Sequence, residues 1–204
     1  NIDTNSVLRL LAINDLTGNF DSFQYVRCLK NMAPGTFPIP KCDLSEYNSA
    51  NTYIYKTKIA GVDKLTWIAH DIDLMGIGND VTRVRRWYDE VDSSVCENGG
   101  DLMMTSRGPL YNYPGQCVPL FKVMKIHFWQ QYLQIFKDLA ETVVTPDNIE
   151  NLTEDYVSII KDAVRIEPTG IPTYDDWLIN VEMFKARMLL MRREGLARLG
   201  INMN

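Results

Sequence analysis

The sequence predicts a mainly α-helical domain with six or seven helices around a buried central helix. Apolar residues recur at close to 3.6 positions through most long segments, which is the helical period. A segment near 120–144 is apolar on almost every side, as expected of a helix enclosed by others. The length of 204 residues predicts one domain, with residues 1–61 as a candidate irregular extension on a helical core of residues 62–204.

The first part of the chain is predicted to form short helices and one strand. Residues 6–32 show helical spacing interrupted at Gly18, which predicts two short helices. Residues 52–59 alternate between polar and apolar types and give the single strand or hairpin signal. Residues 63–73, and a further segment from about Asn79, return to helical spacing.

The second part of the chain carries the strongest helix signals. After a long loop at 96–119, the predicted central helix contains His127, which we expect to be a buried, hydrogen-bonded histidine.

Two further helices have recognisable ends. Thr145 is a helix cap and is followed by Pro146, which is tolerated at the first helical position. This helix should end before Pro168. Thr173 caps the last helix, which we expect to run to Leu199.

The charge distribution is uneven. The chain has 21 Lys and Arg against 26 Asp and Glu, a net charge of -5, so nucleic acid is not an expected partner. Positive charge is concentrated in residues 182–204. The methionines of the last helix either fill the core, which is the favoured interpretation, or form an adaptable contact surface. The predicted interaction residues of this last helix are Lys185, Arg187, Met188, Met191, Arg192, Arg193 and Arg198.

The four cysteines leave two interpretations open. Cys28 and Cys42, and then Cys96 and Cys117, each enclose a segment rich in turn-forming residues, as two loop-closing disulfides would. The alternative is four buried thiols in a cytosolic protein. No spacing matches a zinc site. With Asn151, a candidate glycosylation site, the cysteines favour a secreted or lumenal location over a cytoplasmic one.

The pair His70-Asp71 resembles the metal-binding pair of the HD-domain phosphohydrolases, which are also helical proteins. The resemblance implies a divalent metal that activates water, with His70 and Asp71 as ligands. The family's upstream histidine has no counterpart in this chain. Asp71 and Asp73 also look like the nucleophile motif of haloacid-dehalogenase-type phosphatases, but the accompanying motif is too close in sequence.

A second resemblance concerns assembly. The order of several short motifs is similar to a run in the coat proteins of flexuous filamentous plant viruses, and it implies a helical protein that assembles with copies of itself. The motifs are Trp87-Tyr88, Cys96-Glu97-Asn98-Gly99, Met103-Met104, Tyr113-Pro114, Val123-Met124 and His127-Phe128.

No complete catalytic set is recognisable, so we predict a non-enzymatic structural or protein-interaction domain. It would assemble with itself or bind another protein through its basic C-terminal helix, without a cofactor and without a membrane span. The alternative is a secreted carrier of an apolar small molecule, with a cavity lined by Trp129, Tyr132, Phe136 and Trp177.

Overall fold

The fold is mainly α-helical, as predicted. The computed structural model describes residues 2–18, 26–29, 48–49, 52–69, 86–97, 101–105, 108–113, 115–167 and 172–202. These ranges contain five α-helices rather than six or seven: α1 (Thr4–Thr17), α2 (Ser93–Glu97), α3 (Pro119–Thr142), α4 (Pro146–Arg165) and α5 (Tyr174–Leu199). Across the same ranges, no helix combines the length and the apolar character needed to cross a membrane.

Helices α1, α3 and α5 form the core. The apolar side chains Leu8 and Leu11 of α1 are completely buried, as is Phe136 of α3. Helix α5 contributes Met188 and Leu196 to the same cluster. Helix α1 is therefore part of the helical core.

The central helix α3 lies close to the predicted range but has a solvent-exposed face. Val123 and Ile126 are exposed, whereas Tyr132 and Phe136 are buried. His127 is also exposed, so the expectation of a buried histidine was wrong. Within the part of the chain that the structure describes, the buried α3 side chains such as Tyr132 and Phe136 share one face of the helix, and His127 lies off that face.

The predicted starts of α4 and α5 are confirmed by their caps. The Thr145 side chain accepts a hydrogen bond from the backbone N–H of Asn148 at 3.1 Å. The Thr173 side chain accepts one from the N–H of Asp176 at 3.2 Å. Each cap satisfies a backbone donor that the first helical turn leaves without a partner.

Residues 52–59 form a strand as predicted, but the helix predicted over 63–73 is wrong. Strands β3 (Thr52–Ile59) and β4 (Val62–Ala69) make an antiparallel hairpin. Its two-residue turn has φ 50° at Ala60 and 79° at Gly61, the positive values that tight hairpins require. Pairing with β4 satisfies the backbone N–H and C=O groups of β3. A helix at 63–73 would leave β3 without this partner strand.

A second sheet replaces further predicted helix and loop. Strands β1 (Val26–Leu29), β2 (Asn48–Ser49), β5 (Asp101–Thr105) and β6 (Gly108–Tyr113) form an antiparallel sheet in the order β2-β1-β6-β5. Hence the end of the predicted second helix at 6–32 is a strand, and the predicted loop at 96–119 contains a hairpin. Because β1 is paired on both sides, sheet hydrogen bonding outweighs its local helical spacing.

The helix predicted from about Asn79 is also wrong where the structure describes it. Residues 86–92 contain a turn at Trp87 and Tyr88 and are otherwise irregular, and α2 begins only at Ser93. In this stretch the Asp89 side chain accepts a hydrogen bond from the backbone N–H of Arg86 at 2.7 Å, and this local bond competes with helix formation.

Candidate functional site

A buried polar centre made of Asp15, Arg86 and Tyr132 lies inside the helical core. The Arg86 Nη1 atom lies 3.2 Å from Oδ1 of Asp15, and both side chains are 0% exposed. The Tyr132 hydroxyl donates to the other carboxylate oxygen, Oδ2, at 2.6 Å. Both oxygens of Asp15 therefore accept a hydrogen bond, which offsets the cost of burying its charge.

Three separate parts of the chain build this buried polar centre. Asp15 lies in the last turn of α1, Tyr132 is in the middle of α3, and Arg86 precedes the turn at Trp87. Asp15 is separated by 71 residues from Arg86 and by 117 from Tyr132. The centre thus fixes α1, α3 and the 86–90 segment relative to one another.

Aromatic rings surround the buried polar centre. Trp87 packs edge-on against Tyr132 with 5.0 Å between ring centroids, and Tyr88 packs against Trp129 at 5.4 Å. Burial, followed by the nearby charge of Asp15, raises the pKa of Tyr132 well above its usual value. The same two causes raise the pKa of Tyr88. Both hydroxyls therefore keep their protons at neutral pH and do not act as bases.

An open groove of about 380 Å³ lies beside this aromatic shell. It is lined by Tyr88, Asp89, Glu90, Lys125, Trp129, Arg198 and Leu199. Lys125 Nζ donates to the backbone oxygen of Tyr88 at 2.6 Å, and Arg198 Nη1 lies 3.4 Å from Oδ2 of Asp89. These cations already have partners within the chain, so the groove does not form a concentrated positive site.

The predicted metal ligands His70 and Asp71 lie outside the described residues. Strand β4 ends at Ala69, immediately before them in the sequence. Among the residues that the structure does describe, no cluster of three or more His, Cys, Asp or Glu side chains is arranged to hold a metal ion.

One of the two suggested cysteine pairs is a disulfide in the structure. Cys96, in α2, is bonded to Cys117, just before α3. The pairing of Cys28 with Cys42 lies outside the residues whose side chains are described. Asn151, the candidate glycosylation site, is exposed on α4.

The predicted interaction residues of α5 do not form one open surface. Met188 and Met191 are buried in the core. Lys185 Nζ lies 2.7 Å from a carboxylate oxygen of both Glu150 and Glu182.

The arginines of α5 have different surroundings. Arg192 donates from Nε and Nη2 to the backbone oxygen of Ala140, each at 3.3 Å. Arg198 pairs with Asp89 in the groove, and Arg187 is half-buried. Arg193 is 72% exposed and is 3.7 Å from Glu194. Lys185, Arg192 and Arg198 therefore interact with acceptor groups of the same chain.

The aromatic residues proposed to line a ligand cavity do not do so together. Trp129, Tyr132 and Phe136 pack on one another along α3, with ring centroids 5.5 Å and 5.9 Å apart. Trp177 lies on α5 against Tyr174. Tyr132 and Phe136 are buried in the core, whereas Trp129 is partly buried and lines the open groove, so these residues do not enclose one cavity.

The buried polar centre was not predicted from the sequence, although one signal for it was present. Asp15 follows Leu8 and Leu11 at helical spacing, so an acid occupies the apolar face of α1. An acid at such a position needs a buried partner. Which arginine and which tyrosine supply it depends on the tertiary fold.

Comparison with known proteins identifies the family. The family model described as CotH kinase protein matches residues 1–188. No curated protein and no solved structure matches the chain. The match overturns the prediction of a non-enzymatic interaction domain, and with it the alternatives of a ligand carrier, a viral coat-like protein and a phosphohydrolase, because the matching family is described as a kinase protein. The chain belongs to the CotH kinase protein family.

Proposed function

We propose that this protein takes part in phosphoryl transfer from a nucleoside triphosphate to an acceptor hydroxyl. The family match over residues 1–188 carries the proposal. Kinase chemistry depends on carboxylate and amide oxygens that hold Mg²⁺ on the phosphates, and on an acid that orients the acceptor hydroxyl and takes its proton. The sequence offers a candidate for each of these roles.

Asp71 and Asp73 are the candidate metal-binding acids. They follow directly after the end of β4 at Ala69, and this strand is anchored to the start of α1 through the hydrogen bond from the N–H of Asp3 to the oxygen of Leu65. Carboxylate oxygens are the ligands that Mg²⁺ prefers in proteins. A Mg²⁺ ion held by Asp71 and Asp73 would supply positive charge beside the phosphate groups. Asp71 and Asp73, which were compared above with phosphohydrolase motifs, also suit a kinase. In a kinase the phosphoryl group goes to an acceptor hydroxyl instead of to water.

Asp21 is the candidate base. Asp15 is excluded because it is completely buried and both of its oxygens accept hydrogen bonds. The next acid in the sequence is Asp21, and Asn19 precedes it with an amide oxygen that suits a second metal contact. These two residues follow Gly18, which ends α1.

The experiment measures phosphate incorporation from γ-labelled ATP with Mg²⁺. The 204-residue chain is incubated alone and with dephosphorylated casein as a general acceptor. We expect Asp71→Asn and Asp21→Asn each to lower the rate by about 100-fold or more, the usual effect of losing a general base or a metal ligand. The matched control is Asp63→Asn. Asp63 lies in β4, and its exposed ion pair with Lys56 contributes little to stability.

Two results would refute the proposal. The first is the absence of both phosphate incorporation and Mg²⁺-dependent ATP binding by the folded chain. The second is incorporation that Asp71→Asn and Asp21→Asn leave unchanged. Loss of incorporation in Asp63→Asn as well would refute the assignment of these particular acids.

We further propose that the protein acts in an oxidising compartment, outside the cytoplasm. The Cys96–Cys117 disulfide supports this location because such bonds persist where thiols are not kept reduced. Protein taken from its natural source is alkylated without reduction, and its intact mass is measured. Alkylation of Cys96 or Cys117 in that material would contradict the proposal.

A further inference from the structure

Helix α4 carries an exposed apolar stripe with the spacing of a coiled coil. The stripe consists of Leu152, Tyr156, Ile159, Ala163 and Ile166, and we call it the α4 seam. Successive members are alternately four and three residues apart, which is the spacing of heptad positions a and d. The four larger side chains are 57%, 65%, 73% and 81% exposed.

The α4 seam does not belong to the contact between α4 and α5. That contact uses another face of α4, where Glu150 pairs with Lys185 at 2.7 Å and where Val157 and Lys161 line a groove against α5. Three residues before Leu152, the side chain of Ile149 is buried in the core. The seam therefore continues from a buried residue onto the surface, where it forms an apolar patch of the kind that marks interaction sites.

Acidic residues border the seam on its open side. Asp155 and Asp162 are one heptad apart, at the position beside the seam that sets partner choice in coiled coils. Asp155 is exposed, and the Asp162 side chain is 82% exposed, 3.5 Å from Arg165.

This border argues against pairing of two copies through the seam. In an antiparallel pair, Asp155 of one copy would face Asp162 of the other. In a parallel pair, Asp162 would lie beside Glu167. Like charges across an interface disfavour both arrangements.

We propose that the α4 seam docks an amphipathic helix of another protein whose apolar stripe is bordered by lysine or arginine. Such a helix would cover the seam with its own a and d side chains and would place its basic border against Asp155 and Asp162. The net charge of -5 favours the approach of a basic partner. This inference does not depend on the proposed kinase activity.

The experiment uses synthetic helices as probes. The first peptide, about four heptads long, has leucine at positions a and d and lysine at e and g. The second is identical except for glutamate at e and g, and the third has the composition of the first in an order that removes the apolar stripe. Binding to the 204-residue chain is measured by fluorescence anisotropy at physiological ionic strength.

We expect the first peptide to bind at least about 10-fold more tightly than either of the others. Ile159→Glu should lower that affinity by about 10-fold or more, because it places a charge in the middle of the seam. The matched control is Ile126→Glu, since Ile126 is 66% exposed on α3, outside the seam, and this variant should bind as the wild type does. Replacing both Asp155 and Asp162 by lysine should shift the preference to the glutamate peptide.

Three outcomes would overturn the inference. One is equal binding of the lysine and glutamate peptides, and another is binding that Ile159→Glu leaves unchanged. The third is self-association of the wild-type chain that Ile159→Glu abolishes, which would assign the seam to a second copy of this protein. Circular dichroism of each variant verifies that helicity is retained, and each of these readouts is independent of phosphate transfer.

Discussion

Replacement of Tyr132 by phenylalanine tests whether the buried polar centre stabilises the fold. The change removes one hydroxyl and keeps the ring, so the apolar packing around Trp87 and Phe136 remains. What is lost is the 2.6 Å hydrogen bond to a carboxylate that is 0% exposed. Hydrogen bonds to charged groups contribute about 1.5–3 kcal/mol, so we expect the free energy of unfolding to fall by about 2 kcal/mol.

The assay is equilibrium unfolding in urea, followed by tryptophan fluorescence. With a denaturant dependence near 2 kcal/mol per molar urea, the midpoint should fall by about 1 M. The control is Tyr156→Phe, because the Tyr156 side chain is 65% exposed and its hydroxyl is in contact with water. A midpoint shift for Tyr132→Phe no larger than that of the control would refute the reasoning.

Tyr132 should also make the free energy of unfolding depend on pH. Burial and Asp15 raise the pKa of folded Tyr132 above the usual value of 10.0, whereas in the unfolded chain the hydroxyl ionises near that value. The stability that depends on the neutral hydroxyl is therefore complete below about pH 10 and is lost as the pH rises further. Tyr132→Phe should lose less stability than the wild type between pH 9 and pH 11, and an equal or greater loss would contradict this expectation.

Three further predictions concern other supports of the fold. Replacing Cys96 and Cys117 by serine should lower stability by about 3 kcal/mol, measured by thermal unfolding, because their bond closes a segment with a sequence separation of 21. Thr145→Ala should cost about 1 kcal/mol in urea unfolding through loss of the α4 cap, and Thr145→Ser should restore it. Gly195→Ala should cost about 1–2 kcal/mol, since an added Cβ would lie 2.7 Å from Cζ of Phe136, and Phe136→Leu should relieve the clash in the double variant.

Each of these three predictions has a contradicting result. Equal melting temperatures for the oxidised wild type and the double serine variant would show that the disulfide adds no stability. A Thr145→Ser variant as unstable as Thr145→Ala would show that the loss of stability does not come from the missing hydroxyl. Gly195→Ala at wild-type stability would show that α5 shifts away from Phe136 without cost.

The features that were predictable from the sequence have local causes. The starts of α4 and α5 were identified from Thr145 and Thr173, because a cap is made by residues three positions apart. Strand β3 was identified because its alternation extends over eight residues. In these cases the residues that determine the structure are neighbours in the chain.

The wrong predictions share a different cause. Strand β4 contains Leu65, Trp67 and Ile68, whose spacing fits a helix as well as a strand, and only its pairing with β3 decides between them. Strand β1 is paired with β2 and β6, which lie far away in sequence. Short apolar segments therefore take the conformation that long-range hydrogen bonding requires.

The prediction of function failed for a related reason. His70 and Asp71 were compared with the metal ligands of a phosphohydrolase family, whose upstream histidine is missing from this sequence. The likeness of Asp71 and Asp73 to a phosphatase nucleophile motif was rejected, because the accompanying motif lies too close in sequence. A kinase draws its acids from distant parts of the chain, so no short motif contains the whole set. Membership of the family became evident only from a comparison that extends over residues 1–188.

The buried polar centre connects the two parts of the chain that precede and follow the proposed kinase acids. Asp15 stands six residues before Asp21, and Arg86 stands thirteen residues after Asp73. Their ion pair at 3.2 Å holds the end of α1 to the 86–90 segment inside the core. A change at Asp15 should therefore reduce activity by unfolding the protein, whereas a change at Asp21 or Asp71 should reduce it at unchanged stability. Phosphate incorporation divided by the folded fraction separates the two effects, because only the second kind of variant lowers that ratio.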